Sequence, residues 1–301
     1  MTAIRVFHYE AFSPVPGQGN PAGVMLDADG LTDTQMQRIA AKVGFNETTF
    51  VCRSEAADVQ LRYFTPGHEM DLCGHATMAS LYALHTRGRL EHSEAMIETK
   101  AGLLPVELRL DPGGSEDSLF MRMRQADPVF LPFEGDRDRL LALMGLSADD
   151  VDDRYPIVYG STGVWTVLIP IRKLEAFSRM VPDNAAFPDV LTQQPRASLH
   201  PFCMETVDPG ARMHARHFSS PFSGMVEDPA TGTATGVMGA YALTYMMEPD
   251  EQRTEFVVEQ GIEMGRGGRI KVEASRKESG EMEILVSGQA VFVGELEIEL
   301  E

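Results

Sequence analysis

The chain has 301 residues and a formal net charge of −19, with the apolar and charged fractions of a soluble globular protein. That length suits two ordinary domains, each with its own core, and the acidity excludes a nucleic-acid or anionic-membrane surface, because phosphate partners want clustered Lys and Arg. Three scattered cysteines, Cys52, Cys73 and Cys203, imply no disulfide framework and a reducing compartment; the strand-like N-terminus lacks a signal-peptide run, so a cytoplasmic protein is expected.

In chain order, Ile4 to Phe12 and Ala22 to Leu26 have β character, Asp33 to Val43 has helical spacing, and Glu47 to Arg53 returns to β-branched residues. Asp58 to Thr65 alternates as a strand. A helix is expected from the Cys73 turn to about Arg87, closed by Gly88, and then strands at Ala95 to Thr99, Leu103 to Leu110 and Leu119 to Met123. The stretch from Asp127 to Asp138, with four acids, two prolines and a glycine, is expected as a linker between domains 1–126 and 127–301.

Beyond it, helices are expected at Leu140 to Leu146 and Leu174 to Met180, and strands at Ile157 to Gly160, Val164 to Pro170 and His214 to Phe218. A helix running to about Met247 precedes four strands, at Glu255 to Glu259, Arg269 to Ala274, Glu281 to Val286 and Ala290 to Ile298. Two placements stay open for the last of these, in the second lobe or back on the first.

Two stretches resemble copies of one device. Arg62-Tyr63-Phe64-Thr65-Pro66 leads to Cys73-Gly74-His75-Ala76-Thr77, and Arg216-His217-Phe218-Ser219-Ser220-Pro221 leads to Glu227-Asp228-Pro229-Ala230-Thr231-Gly232-Thr233-Ala234. Each passes from a short strand through a glycine turn into a helix free of Asp, Glu, Lys and Arg over Ala76 to Thr86 and Thr231 to Met247. A helix with no charged face is buried on nearly all sides. A membrane span is disfavoured by the small polar and Gly content of the second and the shortness of the first. Helix starts carry free N–H groups and a positive dipole end, so two of them suit a small carboxylate lying between two lobes. An internal duplication accounts for the pattern.

Together with Gly19-Asn20-Pro21-Ala22-Gly23-Val24 and Asn46-Glu47-Thr48-Thr49-Phe50-Val51, these motifs resemble the PhzF-like (phenazine biosynthesis PhzC/PhzF) family across essentially the whole chain. The resemblance implies a diaminopimelate-epimerase-like α+β fold. It has two pseudo-symmetric lobes, each a mixed, mostly antiparallel sheet wrapped around a central buried helix. It also implies a cofactor-independent isomerase, commonly a homodimer. Glu47 would be the single acid/base in the cleft, moving a proton on one face of the substrate, with His75 and Asp228 orienting it or the substrate's polar group. Gly74, Ala76, Gly232 and Thr233 would offer N–H groups or a hydroxyl to a carboxylate, and Asn20 would shape the cleft edge. The bland readings are a strand-start acid for Glu47, a cap or core residue for His75, an N-cap for Asp228 and a turn residue for Asn20.

Cys73 separates subclasses. Thiol-pair racemases of this fold are similar at Cys73-Gly74-His75 but carry a second cysteine before the second glycine turn, where this chain has Asp228-Pro229-Ala230-Thr231-Gly232. A thiol-type epimerase using Cys73, or a catalytically silent carboxylate-binding protein, are the alternatives. No metal is expected: His68, Glu69, Asp71, Cys73 and His75 cluster in sequence, but no second ligand pair, C-x-x-C or H-E-x-x-H follows. No G-x-G-x-x-G follows a strand, so no nicotinamide or flavin is implied, and Gly265-Arg266-Gly267-Gly268 reads as a hairpin turn.

Overall fold

In the computed structural model, which describes residues 2–110 and 119–300, the chain is mixed α+β and divides into two compact units. Unit 1 comprises residues 1–123 and 287–301; unit 2 comprises 124–286.

Unit 1 contains β1 (Thr2–Ala11), β2 (Asn20–Met25), α1 (Asp33–Val43), β3 (Glu47–Cys52), β4 (Val59–Phe64), β5 (Glu69–Met70), α2 (Gly74–Thr86), β6 (Glu94–Thr99), β7 (Gly102–Leu110) and β8 (Leu119–Arg124). The C-terminal strand, β17 (Ala290–Leu300), joins them by pairing antiparallel with β1 along its whole length. From β17 the sheet runs through β1, β2, β3, β4, β6 and β7 to β8; the β2–β3 and β4–β6 pairs are parallel and the others antiparallel.

Helix α1 is closed at both ends by its own sequence. Thr32 accepts the Gln35 N–H while the Gln35 side chain takes the Thr32 N–H, a reciprocal cap, and Gly44 ends the helix with φ 72°. Its Met36, Ile39 and Ala40 join Val6, Phe50 and Phe64 in a core.

Helix α2 is different. His75 through Leu81, Ala83 and Leu84 are buried, and the helix packs on β1, β2, β3 and β17. Its hydroxyls are satisfied by the helix itself: Thr77 donates to the Cys73 carbonyl (2.7 Å) and Ser80 to that of Ala76 (2.7 Å), which lets polar residues sit in the interior.

Unit 2 contains β9 (Val129–Pro132), α3 (Arg137–Ala142), β10 (Val158–Ser161), β11 (Trp165–Pro170), α4 (Phe187–Val190), β12 (Ser198–Cys203), β13 (Met213–Ala215), α5 (Gly232–Tyr241), β14 (Arg253–Gln260), β15 (Gly268–Arg276) and β16 (Met282–Gly288), whose end crosses into unit 1. Strands β9 to β15 pair in sequence order, with β11–β12 and β13–β14 parallel and the rest antiparallel. Helix α5 packs on β10, β14 and β15. Gly239 explains how it approaches: a Cβ there would lie 2.5 Å from Val272 Cγ2, so close contact with the sheet outweighs the helix propensity that glycine loses. The helix ends in a π-turn, Ala242–Met246.

Several expectations need correction. The supposed linker from Asp127 to Asp138 contains β9 and the first turn of α3. Helix α3 begins at Arg137 because Asp136 caps the Arg139 N–H (3.0 Å), and it stops before Leu146 where Gly145 turns left-handed. The helix expected at Leu174 to Met180 is present, as a 3₁₀ helix over Leu174–Arg179. β13 is three residues long, and Phe218 makes only isolated bridges, to Leu199 and Glu227. Strands β5 and β12 were not expected. Among the described residues, no helix is long and apolar enough to cross a membrane.

Candidate active site

Glu47 opens β3 beside Ala22 of β2. Cys73 is the N-cap of α2 and His75 its second residue. All three side chains are buried, and their donor atoms lie within 4.8 Å of one another. Glu47 Oε2 is 3.0 Å from His75 Nε2, and Cys73 Sγ is 3.5 Å from His75 Nδ1. The Glu47–His75 contact has the distance of an ion pair but lies off line for a hydrogen bond; among the described residues no hydrogen bond reaches that Glu47 oxygen.

The charges follow from the packing. Burial opposes a charge on His75, but the Cys73 sulfur and the Glu47 carboxylate outweigh it and raise the imidazole well above its usual value. Burial pushes the Cys73 thiol up, and the Glu47 charge adds to that push against the pull of His75. The direction is a His75 that holds its proton, between a Cys73 thiol that resists ionisation and the Glu47 carboxyl group. By residue type and spacing the trio could ligate a cation. The other donors of that stretch turn elsewhere: His68 Nδ1 lies 3.1 Å from Thr65 Oγ1, Glu69 accepts Arg62, and Asp71 lies 3.7 Å from Lys100.

The start of α2 is open. Among the described residues no side chain caps it, Gly74 is half-buried, and no described atom lies within 4 Å of where a Gly74 Cβ would stand. Ala76 is fully buried one residue past His75. Asn20 is also fully buried, at the first position of β2 after Gly19, whose φ of 74° and a would-be Cβ 2.3 Å from the Ala11 carbonyl admit only glycine.

In unit 2, Asp228, Thr231, Gly232 and Thr233 are half-buried around the start of α5. Thr231 is the N-cap, the position from which a hydroxyl ordinarily accepts helix N–H groups. Here it donates to Asp228 Oδ2 instead, and among the described residues no side chain caps α5. Thr233 accepts the Thr162 hydroxyl at its carbonyl (3.0 Å). Gln260, at the end of β14, reaches the same turn: its Nε2 donates to the Asp228 carbonyl (2.7 Å) and its Oε1 accepts the Thr231 N–H (3.2 Å). Sequence reasoning passed over Thr231 and Gln260, since a glutamine ending a strand carries no signal of its own.

Residues 9–295 match the family described as phenazine biosynthesis-like protein, PhzC-PhzF. The chain is 48% identical over 293 residues to the uncharacterized isomerase YfhB of Bacillus subtilis strain 168, covering 97% of each chain. It is 31% identical to trans-2,3-dihydro-3-hydroxyanthranilate isomerase of Pseudomonas chlororaphis, covering 95% of this chain and 97% of that one. The crystal structure of the PhzF-family phenazine biosynthesis protein of Bacillus anthracis superposes with a TM-score of 0.96 at 51% identity, over 100% of both chains. A buried carboxylate beside an imidazolium is equipment for moving protons, and relatives matched along their whole length place the enzyme among the isomerases. The chain belongs to the PhzC-PhzF, phenazine biosynthesis-like family.

Proposed function

We propose that the protein isomerises a small carboxylate-bearing metabolite without a cofactor, by a suprafacial proton shift in which Glu47 is the single acid/base. The observation that carries this reading is the buried Glu47–His75 pair, 3.0 Å apart, beside the open start of α2. Glu47 takes a proton from one substrate carbon and returns it to another on the same face, while His75 hydrogen-bonds the substrate's polar group. In unit 1 the uncapped N–H groups beginning with Gly74 offer a place for a carboxylate, and in unit 2 those beginning with Gly232, with the Thr233 hydroxyl and Asp228, offer polar groups to a substrate. Within each unit, sheet strands pack on a buried helix, which agrees with the lobed fold expected for the family.

A two-base thiol mechanism fits less well. Cys73 is biased to stay protonated, and a neutral thiol is a poor base. The corresponding turn of unit 2 has no sulfur, and Cys203 is buried with its thiol on the Glu205 carbonyl.

The first substrate to try is trans-2,3-dihydro-3-hydroxyanthranilate, the compound in the name of the Pseudomonas relative. In deuterated water the wild type should isomerise it and place solvent deuterium at carbon. Glu47→Gln should lose turnover by about a thousandfold, within the range of general acid–base catalysis, while still binding the compound. Undiminished turnover in that variant would sink the mechanism.

A further inference from the structure

Asp228 is held by a hydrogen-bond chain whose direction can be read from its chemistry. Gln260 is fully buried, and its amide is fixed in one orientation by two backbone groups: Nε2 faces the Asp228 carbonyl (2.7 Å), an acceptor, while Oε1 faces the Thr231 N–H (3.2 Å), a donor. A flipped amide would set donor against donor and acceptor against acceptor. The same Nε2 also reaches Thr231 Oγ1 (3.1 Å). Because an amide nitrogen only donates, the hydroxyl must accept there, and its own hydrogen is left for Asp228 Oδ2, its other neighbour. A proton on that carboxylate oxygen would meet the hydroxyl's hydrogen head-on.

The backbone is built to allow this. Gly261, directly after Gln260, has φ 84°, and a Cβ on it would stand 2.5 Å from the Pro229 carbonyl and 2.7 Å from that of Arg266. Only glycine lets the end of β14 come so close to the turn, which brings the Gln260 amide within reach. The side chain thus makes three hydrogen bonds, all to Asp228 and Thr231, and directs the one capping hydroxyl of α5 away from the helix and onto the acid.

We propose that Gln260 is a positioning residue: acting through the Thr231 hydroxyl, it locks Asp228 Oδ2 as a hydrogen-bond acceptor and leaves the N–H groups of the α5 start unclaimed by any cap. Its effect on turnover rests on the reading of Asp228 as a substrate-orienting group. A carboxylate in place of the amide accepts the Thr231 hydroxyl hydrogen, and so breaks the lock while filling the same volume.

The test compares Gln260→Glu, Thr231→Val and their double variant, using deuterium uptake into trans-2,3-dihydro-3-hydroxyanthranilate. Each single variant should lose about tenfold or more in kcat, the scale of one hydrogen bond to a charged group, with KM within about threefold. The double variant should be no worse than the poorer single one, because both break the same chain. Thr231→Ser, which keeps the hydroxyl, should retain activity. Independent additive losses, or full kcat in Gln260→Glu, would overturn the proposal, and kcat falling only in step with Tm would reduce Gln260 to a structural residue.

If the wild type leaves the probe unlabelled, the proposed reaction fails by itself. Gln260 is then judged by amide exchange in the full chain, where Gln260→Leu should speed exchange at Thr231 about tenfold or more. Unchanged exchange would refute the lock.

Discussion

The turns that lead into α2 and α5 share a scaffold and differ in their chemistry. In both, an arginine pairs with a glutamate farther along, Arg62 with Glu69 and Arg216 with Glu227, each through an Nε–Oε1 bond of 2.8 Å. In both, that arginine lies over a phenylalanine two residues on, at 5.3 Å for Phe64 and 4.7 Å for Phe218. Both lead into a buried helix that starts at a glycine with no side-chain cap among the described residues. Around α2, however, stand groups that can hold or pass a proton, Glu47, His75 and Cys73. Around α5 stands one acid tied down by a hydroxyl and an amide. The scaffold supplies an open helix start in each unit; the groups added around α2 are ones that can exchange protons, and those around α5 form a fixed pattern of hydrogen bonds.

The largest expected effect probes the shared scaffold. Arg216 and Glu227 have side chains only 9% and 10% exposed, and Arg216 also donates to the Phe177 and Met180 carbonyls. Arg216→Met should therefore cost about 3–5 kcal/mol by chemical denaturation, since it strands a buried carboxylate. Arg62 is more open at 22% and its second partner, Asp33, is 79% exposed, so Arg62→Met should cost about 1 kcal/mol. Equal costs would show that the two turns are not built with different depth.

Buried histidines give the next test, with opposite signs in the two units. In unit 2, His217 and His200 face each other with Nδ1 atoms 3.1 Å apart; burial lowers His217 to about 4, and burial plus the neighbouring His217 lowers His200 well below its usual value. An unfolded histidine protonates near 6.5, so the stability contributed by the neutral His217 is present above that pH and is lost as pH falls towards 4. The loss is about 3 kcal/mol for His217, and His217→Gln should flatten the fall in Tm between pH 7 and pH 4. His75 runs the other way: its raised value gives stability that is complete below 6.5 and fades as pH climbs through the folded value. Tm profiles that tilt the same way for His75→Gln and His217→Gln, each against wild type, would break the contrast.

His75→Asn should lower turnover about a hundredfold while Glu47 remains present, as expected when the group paired with the base is removed. A change confined to KM would move His75 from the chemistry to binding. The smallest effect on stability is expected for Gly74→Ala. With no described atom within 4 Å of the new methyl, Tm should stay within a few degrees, yet KM should rise if a carboxylate docks on those amides. An unchanged KM would remove Gly74 from the binding surface.

Much of this was legible in the sequence where the signal is local. α1 spans the expected Asp33 to Val43 because Thr32, Gln35 and Gly44 mark its ends by short-range hydrogen bonding. The buried character of α2 and α5 was visible in their lack of charged residues, and the motifs drew attention to Glu47 and His75, whose side chains lie 3.0 Å apart. What failed depends on distant partners. β12 is buried at every position, so it shows no alternation, and Pro201 interrupts it. β9 hid among prolines and acids because its partner, β10, lies almost thirty residues on. The role of Gln260 exists only because the end of β14 meets a turn some thirty residues earlier, a contact that no local pattern encodes.

The pairing of β1 with β17 sets a timetable for making the protein. Strand β1 has β2 as an early neighbour, but its other edge stays bare until residues 290–300 emerge from the ribosome. Closing a loop that spans nearly the whole chain is slow, and a waiting strand edge invites wrong partners. Unit 2, continuous in sequence, is free to settle first. Nascent chains cut short of β17 are therefore expected to depend on chaperones, or to aggregate through the β1–β2 hairpin.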